Sequence, residues 1–279
     1  MQILHTPILP SNLNLYEIGD SHEGTTLQAH DSLLETIERI HDDPIGYAVF
    51  MGDEIEAITV DDKRYDLDTQ KKATPLQQRD NVIKDFEPIK DKLLVWLWGN
   101  HSRTLAKFGN VTLDICRALG IPYGTWTAKL IFHDAYGPMF KAFLAHGIGG
   151  RIVSNAKDWE QQQANMKASL KRKLEAKAGD CLLMSMGHTH LLMVVEPAKR
   201  LYLIDDGEHI KQRYLTPGST DEYIPPERRW YTNTGSFLKL YGEGVSGYGE
   251  VAGYDPIRLG FVIVKVRDRT IESVEDVTI

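Results

Sequence analysis

Leu13-Asn14-Leu15-Tyr16-Glu17-Ile18 alternates apolar and polar residues up to Gly19-Asp20, and this period of two predicts a strand. Leu27 to His41 follows at helical spacing, with Leu33, Leu34, Ile37 and Ile40 on one face. Gly46 to Met51 is a short apolar strand that runs straight into Gly52-Asp53. The acidic stretch Asp61 to Asp68 predicts a solvated loop, and Pro75 to Phe86 a helix. Leu93 to Trp98 is a strand emptying into Gly99-Asn100-His101, with Trp96 and Trp98 at alternate, core-facing positions. Val111 to Leu119 is a helix stopped by Gly120 and Pro122.

The second half of the chain favours hairpins. Thr127 to His133 and Met139 to Ala145 predict two arms joined across Tyr136-Gly137-Pro138, the second delivering His146. Asn155 to Lys177 is the longest helical pattern, aligning Trp159, Met166, Leu170 and Leu174. Cys181 to Met186 is an apolar strand leading into Gly187-His188-Thr189-His190. Arg200 to Ile204 and His209 to Tyr214 pair across Asp206-Gly207, a tight-turn signal. Later strands are expected at Trp230 to Thr232, Phe237 to Leu240 and Arg258 to Val266. Strands alternating with helices early and hairpins late predict an α/β fold of mixed sheets with helices outside. No repeat or linker divides the pattern, so residues 1–279 are read as a single domain.

Composition narrows this picture little. The chain is 42% hydrophobic and 25% charged, ordinary for a globular protein. A net charge of −7 argues against a basic surface that grips long nucleic acid, although bound cations would reverse the sign locally. Cys116 and Cys181 read as reduced core thiols. Met1 to Asn12 carries no signal-peptide pattern, and no apolar run is long enough to span a bilayer. A cytoplasmic protein without a membrane partner is expected; oligomeric state is not legible.

What changes the picture is the set of polar clusters that ends the apolar runs. Asp20-Ser21-His22, Gly52-Asp53, Gly99-Asn100-His101, His146-Gly147 and Gly187-His188-Thr189-His190 all follow such runs. Open α/β sheets place ligands at the carboxyl ends of their strands, which would bring distant loops together. Asp20 and His22, like His188 and His190, are two apart and would project to one side of an extended strand end. Asp53 offers two oxygens and can bridge, Asn100 offers an amide oxygen, and His146 an imidazole nitrogen. Oxygen and nitrogen donors without thiolates suit two divalent ions, with Mn²⁺ favoured and Fe, Co, Ni or Zn²⁺ compatible, over Ca²⁺ or Mg²⁺. Because ligand imidazoles must be neutral, metal affinity is expected to fall as pH drops.

The order Asp-x-His, Gly-Asp, Gly-Asn-His, His and Gly-His-x-His, from about Gly19 to His190, resembles the calcineurin-like metallophosphoesterases. Asn233-Thr234-Gly235-Ser236 is similar to a segment that often follows in that family. The resemblance implies a sandwich of two mixed sheets flanked by helices, α/β/β/α. It further implies one metal on Asp20, His22, Asp53 and His190, and a second on Asp53, Asn100, His146 and His188. His101 would be the non-ligand histidine that contacts the phosphate and protonates the leaving oxygen. The implied activity is binuclear-metal hydrolysis of phosphate esters. A phosphodiesterase is favoured, and the Gly-rich segment after His146 is similar to small phage and bacterial relatives suspected of acting on nucleotides or nucleic acid. A phosphomonoesterase or pyrophosphate hydrolase is compatible with the same metals, and a non-catalytic metal-stabilised scaffold is the alternative class.

One departure stands out. Many relatives carry an acidic residue after Gly-Asn-His, and here Ser102 and Arg103 follow. Asn100, His101, Arg103 and Arg151 are the candidate substrate contacts, Arg151 because the glycines of Gly147-Ile148-Gly149-Gly150 would let a phosphate approach. A flexible loop serving only to make room is the equal alternative for that segment. Glu54 and Glu56 are either acceptors behind the ligands or solvated loop residues. Lys171-Arg172-Lys173 reads as a solvated helix face, since consecutive residues fan around the axis. His5, His30, His41, His133 and His209 are assigned ordinary surface or core positions. Specificity is expected in Glu23 to Gln28, Thr59 to Leu76, Gly147 to Lys157 and Leu215 to Asp255.

Overall fold

A computed structural model of the chain describes residues 1–62, 64–71, 74–198, 201–205, 207–214 and 222–279. In chain order the elements are β1 (Gln2–Ile8), β2 (Leu13–Ile18), α1 (His30–Asp42), β3 (Gly46–Phe50), α2 (Pro75–Phe86) and β4 (Leu93–Trp96). Next come α3 (Asn100–Arg103), α4 (Val111–Leu119), β5 (Thr127–Asp134), β6 (Gly137–Ala145), α5 (Trp159–Leu174), β7 (Leu183–Met186) and β8 (Leu192–Val195). The last are β9 (Leu201–Asp205), β10 (Ile210–Tyr214), β11 (Trp230–Thr234), α6 (Tyr248–Val251), β12 (Gly260–Arg267) and β13 (Thr270–Thr278).

Two mixed sheets result. One runs β1-β5-β6-β7-β11-β8 and the other β13-β12-β2-β3-β4. Each contains a block of adjacent parallel strands: β6, β7 and β11 in the first, β2, β3 and β4 in the second. The alternation in β2 explains how the layers pack. Leu13 and Leu15 face the other sheet and join Val49, Leu130, Leu144, Leu183 and Val264 in the shared interior. Tyr16 and Ile18 face outward onto α1, α2 and α4 through Leu33, Ile37, Phe86 and Ile115. On the far side, Met166, Leu170 and Leu174 of α5 cover Phe143, Met184 and Tyr231. The layers are therefore α/β/β/α, as the resemblance implied.

Local chemistry sets the helix ends. Thr74 Oγ1 accepts from Gln77 N at 3.3 Å ahead of Pro75, and Asn110 Oδ1 accepts from Leu113 N at 3.0 Å. Gly120, at φ +71°, closes α4 in the left-handed region. The helix expected from Leu27 begins only at His30. The backbone of Leu27 and Ala29 is taken by Lys239 N and Phe237 O, so it is spent across the chain instead of along a helix. For the same reason Phe237 to Leu240 is a single bridge, Leu238 with Gln28, and not the expected strand.

Other corrections follow from burial. Leu34 and Trp159 lie exposed, off the faces assigned to them. Strands β1, β8 and β13 were not anticipated; β1 is largely exposed and lacks a clear apolar face. The β9–β10 hairpin is present, with Arg200 and the turn residue Asp206 outside the described residues. So is part of the segment from Leu215. Among the described residues, no helix is long and apolar enough to cross a membrane.

Candidate metal centre

The parallel blocks end side by side, and every motif cluster sits just past one of those ends. Asp20 and His22 follow β2, Asp53 follows β3, Asn100 and His101 follow β4, His146 follows β6, and His188 and His190 follow β7. Loop pairing locks the first two together: Asp20 N donates to Gly52 O at 2.8 Å and His22 N to Asp53 O at 3.0 Å. The donor atoms of Asp20, His22 and His190 lie within 4.8 Å of one another. So do those of Asp53, His146 and His188, and those of His22, Asp53 and His101.

The convergence does not use the extended geometry expected from spacing alone. Asp20 (φ 50°), His22 (49°), Asp53 (54°), His188 (68°) and His190 (58°) are all left-handed. They make up five of the nine such non-glycine residues described, so the strain concentrates on the donors. The two histidines of Gly-His-x-His do not project to one side; His190 joins Asp20 and His22 while His188 joins Asp53 and His146. Glycines make the crowding possible. A Cβ on Gly99 would lie 2.1 Å from Asp53 Oδ1, and one on Gly147 would lie 2.8 Å from His188 Cβ.

Hydrogen bonds fix which imidazole nitrogen faces the cleft. His146 Nδ1 donates to Met51 O at 2.7 Å, and His101 Nδ1 donates to Glu56 O at 2.7 Å. His22 Nδ1 donates to Glu56 Oε2 at 2.7 Å. The Nε2 atoms of all three are left for the cluster, the arrangement in which outer acceptors orient metal-binding imidazoles. His22 Nε2 lies 3.2 Å from His190 Nε2, and His146 Nε2 lies 2.8 Å from Asn100 Oδ1 and 3.3 Å from Asp53 Oδ2. Asp20 Oδ1, wholly buried, accepts no hydrogen bond although His190 Nε2 is 3.2 Å away. Facing lone pairs and a buried carboxylate oxygen without a partner are what a cation would resolve, so the residues fit divalent metal.

The electrostatics agree. Burial pulls the His146 pKa down, but Asp53 and then Asp20 outweigh it and lift it to about 9 in the metal-free chain. Binding of a cation at this imidazole would compete with its protonation. Asp53 is fully buried, which favours its neutral form, yet His146 and His101 hold it well below the usual carboxylate range. His22 moves the other way, pushed down by burial and by His101. Burial also opposes the charge on His101, but Asp53 and Glu56 raise its pKa overall.

The place of the expected acidic neighbour is filled from elsewhere. Ser102 is buried, its Oγ 2.9 Å from Thr112 Oγ1, which donates to Glu54 Oε1 at 2.5 Å. The carboxylate beside His101 is that of Glu56, Oε2 at 3.6 Å from Nδ1. Glu54 and Glu56 are both buried, so neither is a solvated loop residue. Of the two readings open for Glu56, the structure bears out the acceptor, and its reach to both His22 and His101 depends on the pairing of the 20–23 and 53–56 loops.

Outlying candidates take distinct positions. Arg103 is exposed, with its guanidinium 5.7 Å from the ring centres of both Trp98 and Trp126. Trp126, which sequence reasoning passed over, stands edge-on to His146 at 5.1 Å and donates Nε1–H to Gly147 O at 2.8 Å. Trp98 lies beyond β4 and is only half-buried, so it is not the core residue expected. Arg151 sits 3.9 Å over the Tyr254 ring. Lys173 donates to the carbonyls of Ile148, Gly149 and Gly150, so it braces the Gly-rich loop and is not merely solvated. Asn233 Nδ2 donates to Thr189 Oγ1, and Ser236 Oγ donates to Asp20 O at 3.0 Å, so the Asn-x-Gly-Ser segment buttresses two of the donor loops.

No family model matches this sequence, and no curated protein does. Among solved structures, a predicted phosphoesterase of Streptococcus pneumoniae is 11% identical, with 96% of this chain and 98% of that one covered, at a TM-score of 0.33. Nuclease MPE of Pseudomonas putida is 12% identical over 94% and 87%, at 0.34. NAD nucleotidase of Haemophilus influenzae is 11% identical over 95% of this chain and 49% of its own, at 0.38. Likenesses this distant carry no weight for the chemistry, which rests on the donors themselves. By the order of its motifs and the strand ends that bear them, the chain resembles the calcineurin-like metallophosphoesterases.

Proposed function

We propose that this chain, acting as one domain, is a binuclear metal-dependent phosphoesterase, with phosphodiesters of nucleotide or nucleic-acid origin as its favoured substrates. The observation that carries the reading is the position of Asp53. It stands in two donor groups at once, with His22 and His101 and with His146 and His188. Asp20, His22, Asp53 and His190 would hold one cation, and Asp53, Asn100, His146 and His188 the other, with Mn²⁺ favoured. Two such ions, when bound, activate a water and polarise phosphoryl oxygens.

The chain's own residues supply the rest. Glu56 O holds His101 Nδ1–H, so the exchangeable proton for a leaving oxygen is carried at Nε2. The Asp53 and Glu56 carboxylates favour keeping that proton in place. Arg103, at the rim beside Trp98 and Trp126, would grip a phosphate oxygen, and Arg151 is the second cation proposed for that role. The buried thiols Cys116 and Cys181 suit a reducing, cytoplasmic setting.

The test offers purified protein with Mn²⁺ both bis-p-nitrophenyl phosphate and p-nitrophenyl phosphate. Turnover of the diester supports the proposal. Faster turnover of the monoester would replace diester by monoester chemistry. No turnover of either with first-row metals bound would leave the scaffold reading instead.

A further inference from the structure

A second group of donors lies on the opposite side of the Asp20–Glu23 loop. Glu23 pairs as an isolated bridge with Ile55, its N donating to Glu54 O at 2.9 Å. The contacts separate the neighbours: His22 joins Asp20 and His190 at the centre, whereas Glu23 meets Asn81 of α2. Glu23, His30 and Asp85 there place one donor atom each within 4.8 Å of the others. Glu23 is only 2% exposed. Its Oε1 accepts from Asn81 Nδ2 at 2.8 Å, while its Oε2 has no hydrogen-bond partner. His30 Nδ1 is also unpartnered, 3.9 Å from Asp85 Oδ2.

A buried carboxylate oxygen left without a donor forfeits its hydration with nothing in return. Three donors from three separate elements leave such atoms facing each other here. Burial holds the Asp85 carboxyl above its usual range and the charge of Glu23 adds to it, outweighing the opposing pull of His30 and, more weakly, of Lys84 and Lys71. We infer that Glu23, His30 and Asp85 form a third divalent-cation site, separate from the paired centre. One imidazole nitrogen and two carboxylates favour Mn²⁺ or Zn²⁺ over Ca²⁺. His30 and Asp85 are 27% and 15% exposed, so solvent reaches the site and water completes the coordination. Asp85 lies in the last turn of α2, whose carbonyl end favours a cation, whereas His30 opens α1, whose amide end does not; the two offset. The ion would tie the loop that carries Asp20 and His22 to both helices.

Metal counting tests this without reference to turnover. The full chain is stripped with chelator, dialysed against Mn²⁺ and analysed by mass spectrometry, beside His30→Ala and Asp85→Asn. Each variant is expected to hold one equivalent fewer than the wild type, with an unchanged metal-free circular-dichroism spectrum. Equal metal content in both variants and wild type overturns the site. A double variant of the paired centre, Asp53→Asn with His146→Ala, is expected to keep one equivalent; if it binds none, the inference also fails. Should either single variant misfold, Mn²⁺ broadening of the His30 ring resonances in wild-type protein decides: broadening supports the site and sparing refutes it. Loss of the proposed phosphoesterase activity leaves all of these counts interpretable.

Discussion

The interior between the sheets and the loops at its edge are made by the same strands under opposite rules. Leu15 and Val49 sit in extended backbone among apolar neighbours, their backbone groups paired along the sheet. A few residues on, Asp20 and Asp53 are left-handed, buried and charged. Each left-handed donor costs on the order of 1–3 kcal/mol of backbone strain, and a buried charge costs more unless it is compensated. The comparison teaches a division of labour. Parallel pairing from β2 to β4 and from β6 to β11 sets where the loops begin, while a bound cation pair would stabilise what those loops cannot stabilise alone.

Perturbing one region and watching the other sharpens the contrast. Asp53→Asn removes charge from the shared ligand, so it is expected to deplete both cations and abolish turnover while the sheets persist; elemental analysis beside circular dichroism checks it. His101→Asn should keep full metal content yet slow diester hydrolysis by about 10²–10⁴-fold, since a general acid typically contributes that much. Unchanged kcat would remove His101 from the reaction. In the interior, Leu144→Ala should lower unfolding stability by about 2–5 kcal/mol in denaturant with metal stoichiometry unaltered.

Glu17 breaks the contrast from within, because it is a carboxyl inside the apolar interior. Ser185 Oγ and Thr232 Oγ1 donate to it at 2.5 and 2.6 Å, and burial raises its pKa to about 7 despite them. A folded-state pKa above the unfolded one contributes stability that is full at low pH and fades as pH rises through about 7. Glu17→Gln is therefore expected to gain on the wild type above neutrality, by roughly 3 kcal/mol at most, with the gain vanishing toward pH 4. Chelation should have the smallest structural effect, a lower Tm that recovers on adding Mn²⁺, because the ions bind the folded chain alone.

How legible each region was follows the same divide. Alternation and capping residues located β2, β3, α2 and α4 to within a residue, because those elements obey local rules. The exposed edge strand β1 has no such pattern, and the start of α1 is decided by Phe237 and Lys239, more than 190 positions away. The donors could be named from motif order. The split of His188 from His190 followed from the resemblance, though not from their spacing; the left-handed backbone of the donors did not, nor the service of Glu56 to both His22 and His101. Those depend on loops meeting across two sheets.

The central claim is that these loops hold a pair of cations bridged by Asp53. Anomalous diffraction from crystals grown with Mn²⁺ tests it most directly. The account predicts two peaks in the cleft, one bounded by Asp20, His22 and His190 and the other by Asn100, His146 and His188, with Asp53 oxygen on both. A cleft without peaks, or peaks that Asp53 does not touch, would contradict it.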